Sequence, residues 1–242
     1  MPSEPQSAKQ ARFHHIVARL DAAMPEAKIE LNFSTPLELL VAVMLSAQCT
    51  DQRVNMATPE LFRRFKTAQD YADATPDVVE PYVKTLGLFR AKAKNICAMG
   101  AELVRAFNGQ VPTRRDQLVR LPGVGAKTAG VVSMHLDGDR AFPVDTHVQR
   151  LAARMDLSKK KTPDEIEAEL SKLLPSALWF KGHQLLIWHG RRVCHARAPE
   201  CHRCVVADVC PKKGVPKKKT GKDAPTARRR PTRAASRSSG QP

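Results

Sequence analysis

Apolar positions along this chain recur with the spacing of helices, and no stretch alternates as a β-strand would. Residues 37–46 are apolar nearly all round, which predicts a buried helix. The preceding Thr35-Pro36-Leu37-Glu38 is a capping box with proline at the first helical position. Residues 90–107 form a longer helical pattern that stops at Asn108-Gly109. We therefore predict an all-α protein of about ten helices joined by short links.

Threonine–proline pairs mark further predicted helix starts. Thr58-Pro59-Glu60 and Thr75-Pro76-Asp77 repeat the start signal, and Thr162-Pro163-Asp164-Glu165 is a second capping box. The other predicted helices cover residues 116–121, 126–136 with Asp137-Gly138 at its end, the segment from an N-cap at Asp145 to Arg154, and residues 177–188.

A glycine turn, Leu-Pro-Gly-Val-Gly-Ala-Lys-Thr-Ala at residues 121–129, joins two of these helices into a helix-hairpin-helix. Glycines let the backbone approach a phosphate closely, and the free N–H groups at a helix start point towards it. Such contacts read no base sequence, so they suit a protein that scans duplex DNA. A bare Gly-x-Gly turn is more often a simple connection between packed helices. Lys127-Thr128 directly after it favours the functional interpretation.

Lys127 is the candidate nucleophile. It lies in the first turn of a predicted helix, where the positive helix end and partial desolvation disfavour the ammonium form. Asp145, in Val144-Asp145-Thr146-His147, has two interpretations. It is either the N-cap of the next helix or a carboxylate that takes the amine proton or stabilises a cationic transition state. The second interpretation requires proximity to Lys127, which the sequence alone does not establish. His147 is expected to be a packing or hydrogen-bonding partner.

Four of the six cysteines are spaced Cys194-x6-Cys201-x2-Cys204-x5-Cys210. This crowding predicts a metal site, because unliganded thiols at such density would be redox-labile. Four thiolates hold either structural zinc or a [4Fe–4S] cluster. The spacing matches none of the ferredoxin patterns and leaves zinc open. Cys49 and Cys97 lie in helical contexts and are predicted to be small core residues.

The net charge of +16 in 242 residues indicates a polyanionic partner. Residues 212–242 carry +10 of it, from six Lys, five Arg and one Asp, and the composition from Pro211 onward predicts a disordered tail. No stretch approaches the roughly 18 consecutive apolar residues of a membrane span. Residues 1–12 lack an apolar signal core. We therefore expect a cytoplasmic protein with no membrane partner.

Together these motifs resemble the endonuclease III family, bacterial DNA glycosylase/AP lyases of the helix-hairpin-helix superfamily. The hairpin, Val-Asp-Thr-His and the cysteine spacing match in order and separation, over a resemblance that spans roughly residues 13–212. Three further segments match, at residues 30–33, 45–48 and 185–190.

The resemblance implies two helical domains with a DNA-binding cleft between them. Residues 29–139 would form one, with the hairpin. Residues 11–28 plus 140–212 would form the other, with a [4Fe–4S] cluster on the four cysteines. Residues 1–10 and 213–242 would be disordered.

The resemblance also implies roles for single residues. Lys127 would attack C1′ of a damaged nucleotide, expel the base and form a Schiff base, with Asp145 assisting. β-Elimination would then cut the strand 3′ to the lesion. Gln48, otherwise an ordinary surface glutamine, would fill the vacated space in the base stack, and Leu88 would wedge the opposite side. The remaining expected DNA contacts are Gly123, Val124, Gly125, Thr128, His147 and Arg197.

The implied partner is duplex DNA with an oxidised pyrimidine or an abasic site, bound by a monomer associated with the bacterial nucleoid. Two alternatives stay open. One is another lesion on the same scaffold, such as adenine opposite oxidised guanine or a pyrimidine dimer; the other is a non-catalytic DNA-binding module with structural zinc. Lys127 and the bare tail after Cys210 disfavour an adenine glycosylase. The chain departs from the family at Phe89, where relatives have tyrosine, and in residues 195–200, where Arg197 is the only fixed positive charge.

Overall fold

The structure, a computed structural model, describes residues 4–136 and 141–215, and this part of the chain is all-helical, as predicted. Within it there is no strand, and no helix is both long and apolar enough to cross a membrane. Its eleven α-helices are α1 Gln6–Ala23, α2 Pro36–Leu45, α3 Asp51–Arg64, α4 Ala68–Ala72, α5 Pro76–Val83, α6 Phe89–Phe107, α7 Arg115–Leu118, α8 Ala126–His135, α9 Thr146–Arg154, α10 Pro163–Leu173 and α11 Trp179–Arg192.

Proline occupies the first position of three helices, as predicted: Pro36, Pro76 and Pro163. The Thr35 hydroxyl caps α2 by accepting a hydrogen bond from the Glu38 backbone N–H at 3.2 Å. The capping box predicted at Thr162 is wrong. Its hydroxyl donates to the Glu165 carboxylate at 2.7 Å, so it caps no backbone N–H. The predicted stop at Asp137-Gly138 lies outside the described residues.

The helix start predicted at Thr58-Pro59 is wrong, because Pro59 lies inside α3. That helix begins after Thr50, whose hydroxyl accepts from the Arg53 backbone N–H at 3.4 Å. Proline removes one intrahelical hydrogen bond. The helix continues because Val54 and Leu61, on either side of the proline, are both completely buried.

The disorder predicted for residues 1–10 is wrong from Gln6 onward, where α1 begins. Phe13 and Ile16 on this helix are completely buried, and that burial orders the turns before them. Arg12 adds an ion pair with Glu4 at 2.8 Å. It also donates a hydrogen bond to the Met155 carbonyl at 2.7 Å.

The buried residues form two hydrophobic clusters. The first extends from Leu31 to Val132 and is centred on α2, in which residues 39–45 are all buried, as its apolar sequence predicts. The second joins α1 to residues 142–206 and packs α1 against α10 and α11. The N-terminal helix therefore returns to pack with the C-terminal part of the chain.

Polar contacts join the two clusters at the start of α3. Arg191 of α11 pairs with the Asp51 carboxylate at 2.7 Å and also with Glu30. The indole N–H of Trp188 donates to the Lys28 carbonyl at 2.6 Å. These contacts hold α11 against the first cluster, and a cavity opens between them.

Candidate active site

The glycine turn is the tightest part of the hairpin. Gly123 has a φ of +76°, and a Cβ added there would lie 2.7 Å from the Asn95 Cβ, so only glycine fits without strain. The Val124 N–H donates to the Leu121 carbonyl at 3.1 Å and closes the turn. Gly125 then caps α8 with open space around it. The preceding helix α7 is shorter than predicted, because the chain turns after Leu118.

Lys127 and Asp145 line one cavity of about 200 Å³ between the two clusters. Asp145 is the N-cap of α9, and its Oδ1 accepts from the Val148 backbone N–H at 2.8 Å. The capping interpretation is therefore confirmed, and it leaves the carboxylate facing the same cavity as Lys127. Lys127 itself is exposed at the start of α8.

Gln48 also lines this cavity, and its backbone is unusual. It lies in the turn after α2 with a φ of +56°. Leu88, just before α6, has a φ of +59° and is 62% exposed. Left-handed backbone costs a non-glycine residue about 1–2 kcal/mol, and such strain is concentrated at functional sites. Of the other predicted contacts, Thr128 lines the cavity, whereas Leu88, His147 and Arg197 do not.

Sequence reasoning missed a neutral polar wall deep in the cavity, formed by His135, His183 and Gln184. His135 Nδ1 lies 2.7 Å from the Val131 carbonyl, and its Nε2 lies 3.3 Å from the Gln184 amide nitrogen. A neutral ring that donates through Nδ1 and accepts at Nε2 satisfies both contacts. Burial lowers the pKa of His135, which favours that neutral form.

His183 is 1% exposed, and neither ring nitrogen has a hydrogen-bond partner among the described residues. Burial lowers the pKa of His183 to about 4; the Asp145 charge opposes this shift, and His135 and Lys127 reinforce it. Burial therefore favours the neutral form of both imidazole rings in the wall. Its signal in the sequence is weak: a pair of polar residues at positions 183–184 directly before the apolar residues 185–188.

His147 makes structural contacts. Its Nδ1 lies 3.1 Å from the Arg150 guanidinium, which also donates to the carbonyls of Gly190 and Cys194. A Cβ on Gly190 would lie 3.0 Å from the His147 Cβ, so α9 and α11 approach closely here. Burial lowers the pKa of His147, despite the opposing charge of Asp145.

The four C-terminal cysteines are half-buried around a second, smaller cavity. Arg154, almost completely buried, donates to the Cys194 Sγ at 3.2 Å and to the carbonyls of His195 and Ala196 at 2.7 Å. These bonds fold the loop that carries the first cysteine. Arg197 in that loop is exposed.

The donor set fits an iron–sulfur cluster. Burial raises the pKa of Cys204 and Cys210, and the neighbouring cysteines raise it further, so the thiolates need a cationic group between them. The four thiols line one cavity, and four cysteine thiolates are the ligand set of a [4Fe–4S] cluster.

Residues 41–176 match the family model of the HhH-GPD superfamily of base excision DNA repair proteins, so the chain is a repair protein of this helix-hairpin-helix class. Residues 194–210 match the iron-sulfur binding domain of endonuclease III. Endonuclease III of Synechocystis sp. is 44% identical over 85% of this chain and 94% of its own length. That of Escherichia coli is 41% identical over 81% of this chain and 92% of its own length.

The solved structures agree. A trapped endonuclease III–DNA covalent intermediate has a TM-score of 0.80 and 38% identity, and it covers 84% of this chain and 96% of its own. A non-covalent endonuclease III–DNA complex has the same TM-score and identity. The chain belongs to the endonuclease III family. It is a DNA glycosylase with AP lyase activity that acts on DNA and carries a [4Fe–4S] cluster.

Proposed function

We propose that the cavity between the two clusters receives an oxidised pyrimidine nucleotide turned out of duplex DNA, and that Lys127 is the nucleophile. One observation carries this proposal: an exposed lysine at the start of α8 and a carboxylate at the start of α9 line the same cavity. Two helix starts there present positive dipole ends, which suit a phosphate-bearing substrate. The protein would act as a monomer, because both groups come from one chain.

The chemistry requires Lys127 as a free amine. Covering the cavity with a duplex would exclude water from this exposed side chain and favour the neutral form. The amine nitrogen would bond to C1′, and the glycosidic bond would break with its electrons leaving on the base. Asp145 would stabilise positive charge on the sugar during that step and hold the proton that the amine releases.

The resulting Schiff base would acidify the C2′ protons. Loss of one proton would break the C3′–O bond, cut the strand 3′ to the lesion, and leave an imine that water hydrolyses. Base release and strand cleavage would thus share one intermediate on Lys127.

The neutral polar wall of His135, His183 and Gln184 would face the extruded base. Uncharged donors and acceptors select a base by its hydrogen-bonding edge. The ring nitrogens of His183, which have no hydrogen-bond partner among the described residues, retain that capacity. The family resemblance implies oxidised pyrimidines as the class. Purine lesions on the same scaffold are the competing choice, and a panel of duplexes that differ only in the lesion distinguishes the two.

Gln48 and Leu88 would enter the base stack from their left-handed turns. The hairpin amides of residues 123–125 would bind backbone phosphate, with Thr128 beside them. His147 would act on DNA only indirectly, through α9. Arg197 would add one phosphate contact. A positive charge also lies near Leu88, since the Arg90 guanidinium covers the Phe89 ring at 5.0 Å.

Borohydride trapping on abasic-site DNA tests the nucleophile. We expect the parent protein to form a covalent adduct, and Lys127→Gln to form none while it still binds the duplex. Lys66→Gln, at an exposed lysine outside the cavity, is the matched control and should trap normally. Asp145→Asn should slow base release more than lyase action on a preformed abasic site. Normal trapping by Lys127→Gln would eliminate this mechanism.

A further inference from the structure

Outside the reaction cavity, Cys49 and Lys92 form a close pair. Cys49 follows Gln48 in the turn after α2 and is half-buried, whereas Lys92 on α6 is 7% exposed. The Lys92 ammonium donates a hydrogen bond to the Cys49 Sγ at 3.1 Å. In the described part of the chain, that sulfur is the only hydrogen-bond partner of Lys92 Nζ.

A lysine this deeply buried is normally paired with an acid, because an isolated ammonium is costly to remove from water. Lys92 forms no ion pair with a carboxylate within the described residues, so the Cys49 sulfur is the polar group in contact with its side-chain nitrogen. An ammonium has three N–H donors, and the sulfur uses one of them. The buried cation therefore has capacity for a second acceptor next to the sulfur, such as an oxygen atom.

Two elements direct positive charge at the thiol: Lys92 comes from α6 and Arg53 from α3. Burial alone would raise the pKa of Cys49. The hydrogen bonds from Lys92 and from the Gly87 backbone N–H, together with the charges of Lys92 and Arg53, outweigh burial and lower that pKa overall. Cys97 lies deeper on the same helix as Lys92, and burial raises its pKa. The pKa values of the two cysteines outside the C-terminal group are thus shifted in opposite directions, down for Cys49 and up for Cys97.

The Cys49 sulfur also lies close to a second exposed turn. A Cβ on Gly87 would lie 3.9 Å from the Cys49 Sγ, and Leu88 follows directly. Arg53 reinforces this junction by donating to the Thr85 carbonyl at 2.6 Å. The thiol therefore lies between the turn that carries Gln48 and the turn that carries Leu88, both in left-handed backbone.

We propose that Cys49 is a modification site for hydrogen peroxide and small hydroperoxides, with Lys92 as the group that activates its sulfur. The thiolate attacks one peroxide oxygen, so an S–O bond forms as the O–O bond breaks. Sulfur loses two electrons, peroxide gains them, and the second oxygen leaves as hydroxide, or as alkoxide from a hydroperoxide. The product is a cysteine sulfenic acid, and the free N–H groups of Lys92 bind its oxygen.

The added oxygen enlarges a side chain that fits between the two turns. We infer that oxidation displaces Gln48 and Leu88 and weakens binding to lesion DNA; this consequence rests on the proposed function of those two residues. A reducing thiol reverses the sulfenic acid, so the effect is reversible.

Dimedone labelling of the cluster-loaded protein after brief peroxide treatment, read by peptide mass spectrometry, tests the site. We expect an adduct at Cys49 and none at Cys97, the internal control. Lys92→Met should lower the labelling rate at neutral pH several-fold, because the hydrogen bond and the charge that favour the thiolate are lost, whereas Lys92→Arg should retain most of it. Equal labelling of the two cysteines, or of parent and Lys92→Met, would overturn the proposal. The comparison within the parent protein holds even where a variant fails to fold.

Binding to a duplex with an uncleavable abasic-site analogue tests the consequence. Peroxide should weaken binding of the parent several-fold, dithiothreitol should restore it, and Cys49→Ser should be insensitive. Visible absorbance of the cluster must stay constant throughout. Labelling of Cys49 without loss of binding would overturn the coupling to DNA. Failure of untreated protein to cleave lesion DNA would instead count against the proposed function.

Discussion

At the scale of single residues, Gln48 and Leu88 are distinguished by their backbone conformation. Both have left-handed backbone without being glycine, at φ +56° and +59°. The sequence suggested these two residues only through the resemblance, because a glutamine after a buried helix and a leucine before another are ordinary. Their conformation is a property of the folded turns.

Gln48→Ala should slow turnover of a paired lesion more than of a preformed abasic site. Filling the stack matters most when a base must be kept out of it, and extruding a base costs a few kcal/mol. Single-turnover rates on the two duplexes measure the difference. Gln52→Ala, at an exposed glutamine just inside α3, is the control and should change neither rate. Equal slowing on both substrates by Gln48→Ala would indicate a folding defect.

At the level of elements, a proline after threonine occurs both at a helix start and inside a helix, and the sequence did not distinguish the two cases. Pro36 and Pro59 both follow threonine, yet the first begins α2 and the second lies inside α3. The difference is tertiary, because buried Val54 and Leu61 hold α3 together across the missing hydrogen bond. The hairpin, in contrast, was predictable, since its conformation is determined locally by glycine.

Gly123→Ala should lower the free energy of unfolding by about 2 kcal/mol or more and weaken binding to undamaged duplex. The new Cβ would lie 2.7 Å from the Asn95 Cβ, at a φ of +76° that alone costs about 1–2 kcal/mol. Urea unfolding and a binding titration measure both effects. Gly125→Ala is the matched control for the unfolding measurement, because its φ is −84° and its Cβ would meet nothing within 4 Å. Equal losses of unfolding free energy in both variants would contradict the steric argument.

At the scale of the whole molecule, the cysteine ligands belong to the second hydrophobic cluster, because Cys194, Cys204 and Cys210 pack at its edge. Cys201→Ser should lower the iron content and the visible absorbance, and it should reduce thermal stability. A metal group that orders this loop contributes directly to folding. Iron analysis and calorimetry of protein purified without air provide the readouts. Stoichiometric zinc with full stability would contradict the iron–sulfur assignment.

The basic tail should add affinity without adding selectivity. Residues 216–242, outside the described part, contain four Lys, five Arg and one Asp. Deleting them should weaken binding to undamaged duplex at low salt and flatten its salt dependence, because fewer counterions are released. The preference for lesion over undamaged DNA should stay unchanged. Titrations at several salt concentrations test this, and complete loss of lesion turnover at low salt would show that the tail is not accessory.

The sequence alone determined what is local. Helix class, the glycine hairpin, the N-cap at Asp145 and the crowding of four cysteines follow from residues within about one helical turn or loop of each other, where short-range sterics and hydrogen bonds dominate. Only the tertiary structure decided what those pieces do together. It placed Lys127 and Asp145, eighteen positions apart, on one cavity, added the distant His183 to its wall, and set Lys92 against Cys49. These long-range contacts depend on how the two hydrophobic clusters pack. Because burial of apolar area is non-directional, no local sequence pattern encodes such contacts.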